Sequence, residues 1–178
     1  VAQTLAPSLA KQMAESERQF RSVVENLQEV VYRIDGEGRW IYLSPAWERM
    51  TGFSVEESLG QPWTSYIVSE DMADTLSEVR RRLQSREEFF TYQARLRRKD
   101  GGDCWVENHV RMEFDGERRL AQSSGTLNDI TARREATDRL NEQLRLVNDL
   151  IELVPQPLYM KDARGRYVMV NQAFERFF

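Results

Sequence analysis

Residues 23–51 carry the stretch VVENLQEVVYRIDGEGRWIYLSPAWERMT, and residues 150–178 carry a related one, LIELVPQPLYMKDARGRYVMVNQAFERFF. The two stretches align at a constant offset without gaps. Self-similarity at a fixed offset is the signature of tandem modules. We therefore expect one complete module, followed by the start of a second, in a piece of a longer multidomain protein. Matching pairs include Tyr32 and Tyr159, Asp35 and Asp162, and Gly38 and Gly165, while Trp47 becomes Phe174.

The composition is that of a folded protein rather than a disordered or membrane-spanning one. Of the 178 residues, 40% are hydrophobic, which is enough to build a core. No stretch approaches the roughly 20 apolar residues of a membrane span. The single cysteine, Cys104, excludes an intrachain disulfide and fits a reducing compartment. The net charge of -4 gives no reason to expect nucleic-acid binding. We expect a cytoplasmic protein, or the cytoplasmic part of a membrane-anchored one.

Two helices with narrow apolar stripes are predicted to flank the module, at residues 1–28 and 130–154. In each stripe the apolar residues alternate steps of three and four, which is a short heptad pattern. A helix that packs on its own domain is the alternative, although such a helix usually carries a broader stripe. The pattern favours a parallel homodimer. Its predicted seams consist of Phe20, Val23 and Leu27 on the first helix and Leu140, Leu144, Val147 and Ile151 on the second.

Between these helices, the pattern runs from two strands through several helices to three more strands. A glycine-containing turn at 35–38 predicts a hairpin, and a short helix at 45–51 should bury Trp47 against the sheet. A longer helix is predicted at 70–84, with Ser69 as its N-cap. Three strands joined by tight hairpins follow. This order predicts an α+β domain, in which helices cover one face of an antiparallel sheet.

Two parts of this domain resemble a known family. Residues 42–57, YLSPAWERMTGFSVEE, resemble the opening half of a PAS sensory domain, and residues 101–131 resemble its C-terminal PAC half. The resemblance covers residues 17–131, and residues 147–178 look like the start of a second PAS domain. It implies a five-stranded antiparallel sheet with a pocket beneath the helices. It also implies a sensory or dimerisation role in a bacterial signalling protein, with a covalently attached histidine kinase, cyclic-di-GMP enzyme or chemoreceptor as output.

On this basis, we divide the chain into an N-terminal helix at 1–28, a PAS/PAC domain at 29–131, a linker helix at 132–154 and the start of a second PAS domain at 155–178. The triplet Asp129-Ile130-Thr131 matches the motif at which such domains pass strain into the following helix. Asp or Thr can also cap a helix that starts there. The two roles are compatible, because a cap fixes where the strand ends and the helix begins.

The resemblance implies a ligand pocket, but the sequence leaves the ligand unknown. Aromatic and apolar side chains predicted on the inner faces are the candidates for its lining. They are Tyr32, Tyr42, Trp47, Met50, Trp63, Tyr66, Leu76, Tyr92 and Val110. They could surround a small molecule, stack a flavin, or form an ordinary core without a ligand.

The sequence lacks the signatures of several cofactors and of catalysis. The cysteine motif of light-sensing flavin domains is absent, and Cys104 follows a turn. The helix at 70–84 lacks the histidine that binds haem, and the single histidine, His109, is predicted on the outer face of its strand. We therefore expect no metal, no catalytic residues and no enzyme activity in this part of the protein. Three hypotheses remain, namely a ligand sensor, a ligand-free dimerisation module and a redox sensor with non-covalent FAD.

Overall fold

The computed structural model describes residues 11, 15, 16, 24 and 27–177, and the chain divides into two compact units, Val1–Thr131 and Ala132–Phe178. The four isolated N-terminal residues are helical. Phe20 and Val23, which belong to the predicted first seam, lie outside the described residues. Among the described residues, no helix combines the length and apolarity that crossing a bilayer requires.

The first unit contains a five-stranded antiparallel sheet with helices, so the predicted α+β class is confirmed. The order of its strands is β2-β1-β5-β4-β3, so the hairpin of β1 and β2 joins the three-stranded meander of β3, β4 and β5 through the pairing of β1 with β5. Alternating burial along β3 and β4 gives the sheet one apolar face and one polar face. The strands are β1 (Val30–Asp35), β2 (Trp40–Leu43), β3 (Phe89–Arg97), β4 (Asp103–Phe114) and β5 (Leu120–Asp129).

Short helices connect β2 to β3. They are α1 (Ala46–Thr51), α2 (Val55–Ser58), the 3₁₀ turns Trp63–Tyr66 and Ser69–Asp71, and the longer α3 (Met72–Ser85). Gly52 ends α1 with a φ of 78°, a left-handed conformation that glycine adopts without strain.

The predicted start of the long helix is wrong. Ser69 begins a 3₁₀ turn, and α3 starts only at Met72. The carboxylate of Asp71, next to the helix start, is held by the guanidinium of Arg95 on β3, with N–O distances of 2.7 and 2.8 Å. This ion pair occupies the side chain that could otherwise have capped the helix. The 3₁₀ turn, in which the Asp71 N–H donates to the Val68 carbonyl at 3.0 Å, places Ser69 inside the turn rather than directly ahead of α3.

The core of the first unit is an aromatic cluster around Trp47. Its indole is completely buried, as predicted, and its Nε1 donates to the Ser58 hydroxyl at 2.9 Å. The ring centroids of Trp40 and Tyr66 lie 5.5 and 5.0 Å from that of Trp47. Tyr32 meets Trp40 edge-on at 5.2 Å. These contacts join β1, β2, α1 and the Trp63–Tyr66 turn into a single packed layer.

The second unit reproduces the first hairpin in detail. It contains most of α4 (Thr131–Leu153), followed by β6 (Tyr159–Lys161), β7 (Tyr167–Val170) and α5 (Gln172–Phe177). The fully buried Asn171 accepts from the Leu158 backbone N–H at 2.8 Å. At the equivalent position in the first unit, the Ser44 hydroxyl oxygen accepts a hydrogen bond from the Val31 backbone N–H at 2.9 Å. The repeat is therefore structural, and it extends to equivalent hydrogen bonds.

Replacing Trp47 with Ala should lower the free energy of unfolding of the first unit by about 3–5 kcal/mol, because it opens a large cavity and leaves the Ser58 hydroxyl without its donor. Urea denaturation of the purified chain measures this change. Ile41→Ala is the matched control, since Ile41 is half exposed and its truncation should change the stability by less than about 0.5 kcal/mol. Equal effects of the two substitutions would contradict the position assigned to Trp47.

Candidate functional site

A cavity of about 340 Å³ lies within the first unit. Its walls are apolar side chains from the inner face of the sheet and from α3. Val106, Val110 and Leu127 line it from β4 and β5, and Leu76, Val79 and Leu83 line it from the helix. A volume of this size falls within the range of small-molecule sites in proteins.

Five of the nine candidate pocket residues line this cavity, namely Tyr32, Trp63, Leu76, Tyr92 and Val110. Trp47, Met50 and Tyr66 are buried in the adjacent aromatic core instead. Tyr42 points away from the cavity, contrary to expectation. It pairs across the strands with the exposed Arg33, and paired residues share a face of a sheet, so Tyr42 lies on the outer face.

A polar chain crosses the inner face of the sheet. The Tyr32 hydroxyl on β1 donates to Asn108 Oδ1 on β4 at 2.8 Å, and Asn108 Nδ2 donates to the Tyr92 hydroxyl on β3 at 3.0 Å. All three side chains line the cavity. The chain therefore connects three strands and gives an otherwise apolar wall a row of hydrogen-bonding groups.

Gly125 on β5 makes this chain possible. It is the cross-strand partner of both Tyr32 and Val110, so it lies between β1 and β4. A Cβ atom at this position would come within 2.7 Å of the Tyr32 hydroxyl and 2.1 Å of the His109 carbonyl oxygen. Only glycine lets the tyrosine lie across β5 and reach Asn108.

Sequence reasoning missed Asn108 and Gly125, although both leave a signal. Asn108 is a polar side chain on the buried face of β4. The other buried residues of this face are Cys104, Val106, Val110 and Met112. A polar residue on an apolar strand face needs a partner, because burying an unpaired amide is costly. A glycine inside a strand marks a close approach of other atoms.

Burial controls the ionisation of the two tyrosines. Desolvation raises the pKa of Tyr32 above its usual range, and it raises the pKa of Tyr92 to about 12. Both hydroxyls therefore remain protonated, and able to donate, well above neutral pH. The only charged residues that line the cavity, Glu37 and Arg80, are exposed to solvent.

The remaining chemically notable residues lie outside this cavity. Cys104 is fully buried, and burial raises the pKa of its thiol, which disfavours the reactive thiolate. His109 is exposed on the outer face, where its Nδ1 lies 2.9 Å from the Thr91 hydroxyl. Within the part of the chain that the structure describes, no three His, Cys, Asp or Glu side chains gather as a metal site would require.

The predicted coupling triplet lies where β5 passes into α4. The Ile130 N–H donates to the Trp105 carbonyl at 2.9 Å, and the Trp105 N–H donates to the Thr131 hydroxyl at 2.9 Å. Asp129 accepts from the Thr131 N–H at 2.8 Å through one carboxylate oxygen and pairs with Arg98 at 3.0 Å through the other. The start of the helix is therefore bound to β4, and the end of β5 is bound to Arg98, which directly follows β3.

The predicted seam residues of α4 face solvent. Leu140, Leu144 and Val147 are each more than half exposed, and Ile151 is partly exposed. Leu27, of the first seam, is 38% exposed. Leu140, Leu144 and Val147 therefore form an exposed apolar stripe along the middle of α4, and Ile151 continues it with part of its surface covered.

Comparison with curated proteins finds a related kinase in Bacillus subtilis. Sporulation kinase C of Bacillus subtilis is 31% identical over 142 residues, which cover 75% of this chain and 32% of that protein. The chain thus spans about a third of the length of this relative.

Solved structures share the fold. A PAS domain from Colwellia psychrerythraea matches with 23% identity and a TM-score of 0.57, covering 65% of this chain and 97% of that one. A sensory box histidine kinase/response regulator from Burkholderia thailandensis matches with 20% identity and a TM-score of 0.60, covering 74% of this chain and 98% of that one.

Two family models match consecutive parts of the sequence. The model described as the PAS fold covers residues 18–130, which is more than half of the chain, and a model described as a PAS domain covers residues 142–178. The five-stranded antiparallel sheet and the order of its strands agree with this match. The protein therefore belongs to the PAS family, with one PAS sensory domain and the start of a second.

Proposed function

We propose that this PAS domain is a sensory module that relays the state of its cavity through its flanking helices to a covalently attached output domain. The kinase names of two relatives, from Bacillus subtilis and Burkholderia thailandensis, support a histidine kinase as that output. A cyclic-di-GMP enzyme is the alternative. The division into units at Thr131 supports the proposed boundary between the PAS domain at 29–131 and the linker helix at 132–154.

One observation carries this proposal. Val106, in the wall of the cavity, is the cross-strand partner of Asp129, which precedes the linker helix. The backbone of its neighbour Trp105 accepts a hydrogen bond from the Ile130 N–H and donates one to the side-chain hydroxyl of Thr131 at the helix start. A ligand that displaces Val106 would therefore move backbone to which the helix is directly hydrogen-bonded. Allosteric coupling needs such a contiguous element that both sites can bias.

Two other functions remain as alternatives. A ligand-free dimerisation module is favoured by the exposed stripe of α4. A redox sensor with non-covalent FAD is favoured by the aromatic side chains of Tyr32, Trp40, Trp63 and Tyr92 in the cavity wall, which could stack against an isoalloxazine ring. A visible absorption spectrum of the protein purified without added cofactor would reveal a bound flavin.

Inserting one residue after Ala132 in the full-length protein should change the output sharply, because it rotates the rest of the helix by about 100° relative to the domain. The melting temperature of the PAS domain should barely change. The output is measured as autophosphorylation if the attached domain is a kinase.

Inserting seven residues at the same point is the matched control. Seven residues complete nearly two turns and restore the rotational phase to within about 20°, so the output should return towards that of the unaltered protein. If neither insertion changes the output, the helix is a passive tether and the relay is refuted. If both change the output equally, the rotational phase of the helix does not carry the signal.

We also propose that the chain forms a parallel homodimer through its flanking helices. The support is the apolar stripe of Leu140, Leu144, Val147 and Ile151 on α4, whose heptad spacing suits a two-stranded coiled coil. Contiguous apolar surface left in water marks an interaction site. Phe20, Val23 and Leu27 of the N-terminal helix would form the second seam.

Leu144→Glu should weaken the dimer at least tenfold, because it buries a charge in the seam. Analytical ultracentrifugation over a range of concentrations measures the dissociation constant. Leu146→Glu is the matched control, since Leu146 is equally exposed on the same helix but lies off the stripe. A concentration-independent monomer, or equal weakening by both substitutions, would contradict the proposed seam.

A further inference from the structure

The polar chain in the cavity leaves one tyrosine proton and one amide proton of Asn108 without an acceptor among the described residues. In the chain of Tyr32, Asn108 and Tyr92, the first hydroxyl donates to the amide oxygen, and the second accepts from the amide nitrogen. The hydroxyl proton of Tyr92 then meets no acceptor among the described residues. Turning the amide over only exchanges the roles of the two tyrosines. In either arrangement, one tyrosine donor in the cavity wall is left over.

A further unused donor belongs to Trp40. This residue is 95% buried and lines the same cavity, and its indole Nε1 has no hydrogen-bond acceptor among the described residues. Buried donors in folded proteins are almost always paired, so an unpaired one needs an explanation. An indole N–H can only donate, and its missing partner must therefore be an acceptor.

The rest of the wall limits the charge of any occupant. Apart from the polar groups already named and a few small polar residues, the lining consists of aliphatic and aromatic side chains. Its only charged members, Glu37 and Arg80, are solvent-exposed. A carboxylate or phosphate inside the cavity would lose its hydration without gaining a buried cation, which is strongly unfavourable. A neutral molecule loses far less.

We propose that the cavity binds a neutral, mainly apolar small molecule that carries a hydrogen-bond acceptor, such as a ketone or quinone carbonyl. The acceptor oxygen takes both the free tyrosine proton and the Trp40 N–H, and the apolar body contacts Val106, Leu127 and α3. This inference rests on the proposed function insofar as the cavity is the sensing site. The volume of 340 Å³ corresponds to roughly ten waters of liquid, enough for a bicyclic ring system.

Three probes of nearly the same shape test this assignment, namely 2-acetylnaphthalene, 2-isopropenylnaphthalene and 2-naphthoate. The first carries a carbonyl acceptor, the second replaces its oxygen with a CH₂ group, and the third is an anion. Their dissociation constants are measured on the 178-residue chain by NMR titration. We expect the ketone to bind about tenfold more tightly than the hydrocarbon, as one net hydrogen bond allows. The carboxylate should bind most weakly.

The Trp40 N–H resonance provides a direct readout of the donor. It should shift downfield when the ketone binds and remain nearly unchanged with the hydrocarbon. Trp40→Phe identifies the resonance by its loss. The triple variant Tyr32→Phe/Asn108→Leu/Tyr92→Phe removes every donor of the polar chain without removing the rings, because a change at one member alone would free a proton of its partner. It remains informative if Trp40→Phe proves too unstable. Either variant should reduce the preference for the ketone over the hydrocarbon to about threefold or less.

Equal affinities for the ketone and the hydrocarbon would overturn the proposal, as would tighter binding of the carboxylate or no binding of any probe at millimolar concentration. None of these results depends on the relay. The binding order is measured on the domain alone, whereas the relay is measured through insertions in the linker helix. A failure of the ligand class can therefore be distinguished from a failure of the sensory function.

Discussion

The interior of the PAS domain depends on the hydrogen bond that Tyr32 makes to Asn108 across Gly125. Because Gly125 has no side chain, the tyrosine can cross β5 and pair with an amide on β4. Any larger residue would collide with the Tyr32 hydroxyl and with the His109 carbonyl, which lies between the paired strands. The chain that continues to Tyr92 gives the oxygen and the nitrogen of the buried amide one partner each. It also fixes the wall of the cavity.

The same strands serve the cavity and the helix. Along β4, Asn108 and Val106 face the cavity, while the backbone of Trp105 holds the helix start. Along β5, Leu127 lines the cavity two residues before Asp129. The distance between the proposed sensing site and the proposed lever is therefore a few residues of hydrogen-bonded strand. A rearrangement of the cavity wall needs no flexible linker to reach the helix.

The sequence predicted the order of elements well, because turns and alternation are local signals. Gly38 and Gly52 mark a hairpin and a helix end, and both have positive φ angles. The side-chain network could not be predicted in this way. The approach of Tyr32 to Asn108 depends on the pairing of β1 with β5, which are separated by most of the domain. Tyr42 was misplaced because the β1–β2 pairing shifts register between Arg33 and Ile34, which breaks strict alternation along β2. Trp40 and Leu43 are buried as a result, and Tyr42 is exposed.

The helix start shows both the reach and the limit of local reasoning. The capping role of Asp129 was predicted from its residue type and position. In the structure, its carboxylate accepts a hydrogen bond from the Thr131 N–H. Its second partner, Arg98, directly follows β3, and the Thr131 hydroxyl accepts from the backbone of Trp105 on β4. Those contacts are tertiary, so no single-sequence pattern contains them. They are also the contacts through which the domain could act on the helix.

The central claim is that a change in the cavity network of Tyr32, Asn108 and Tyr92 alters the hydrogen bonds at the start of the helix. Amide hydrogen exchange of Trp105 in an Asn108→Leu variant tests it most directly. The Trp105 N–H reports on the bond to Thr131, and the Ser44 N–H, which donates to the Val31 carbonyl at 2.8 Å, reports on the β1–β2 side. The account predicts that protection of Trp105 falls by a larger factor than protection of Ser44. A proportional fall at both amides, or an unchanged Trp105, would contradict it.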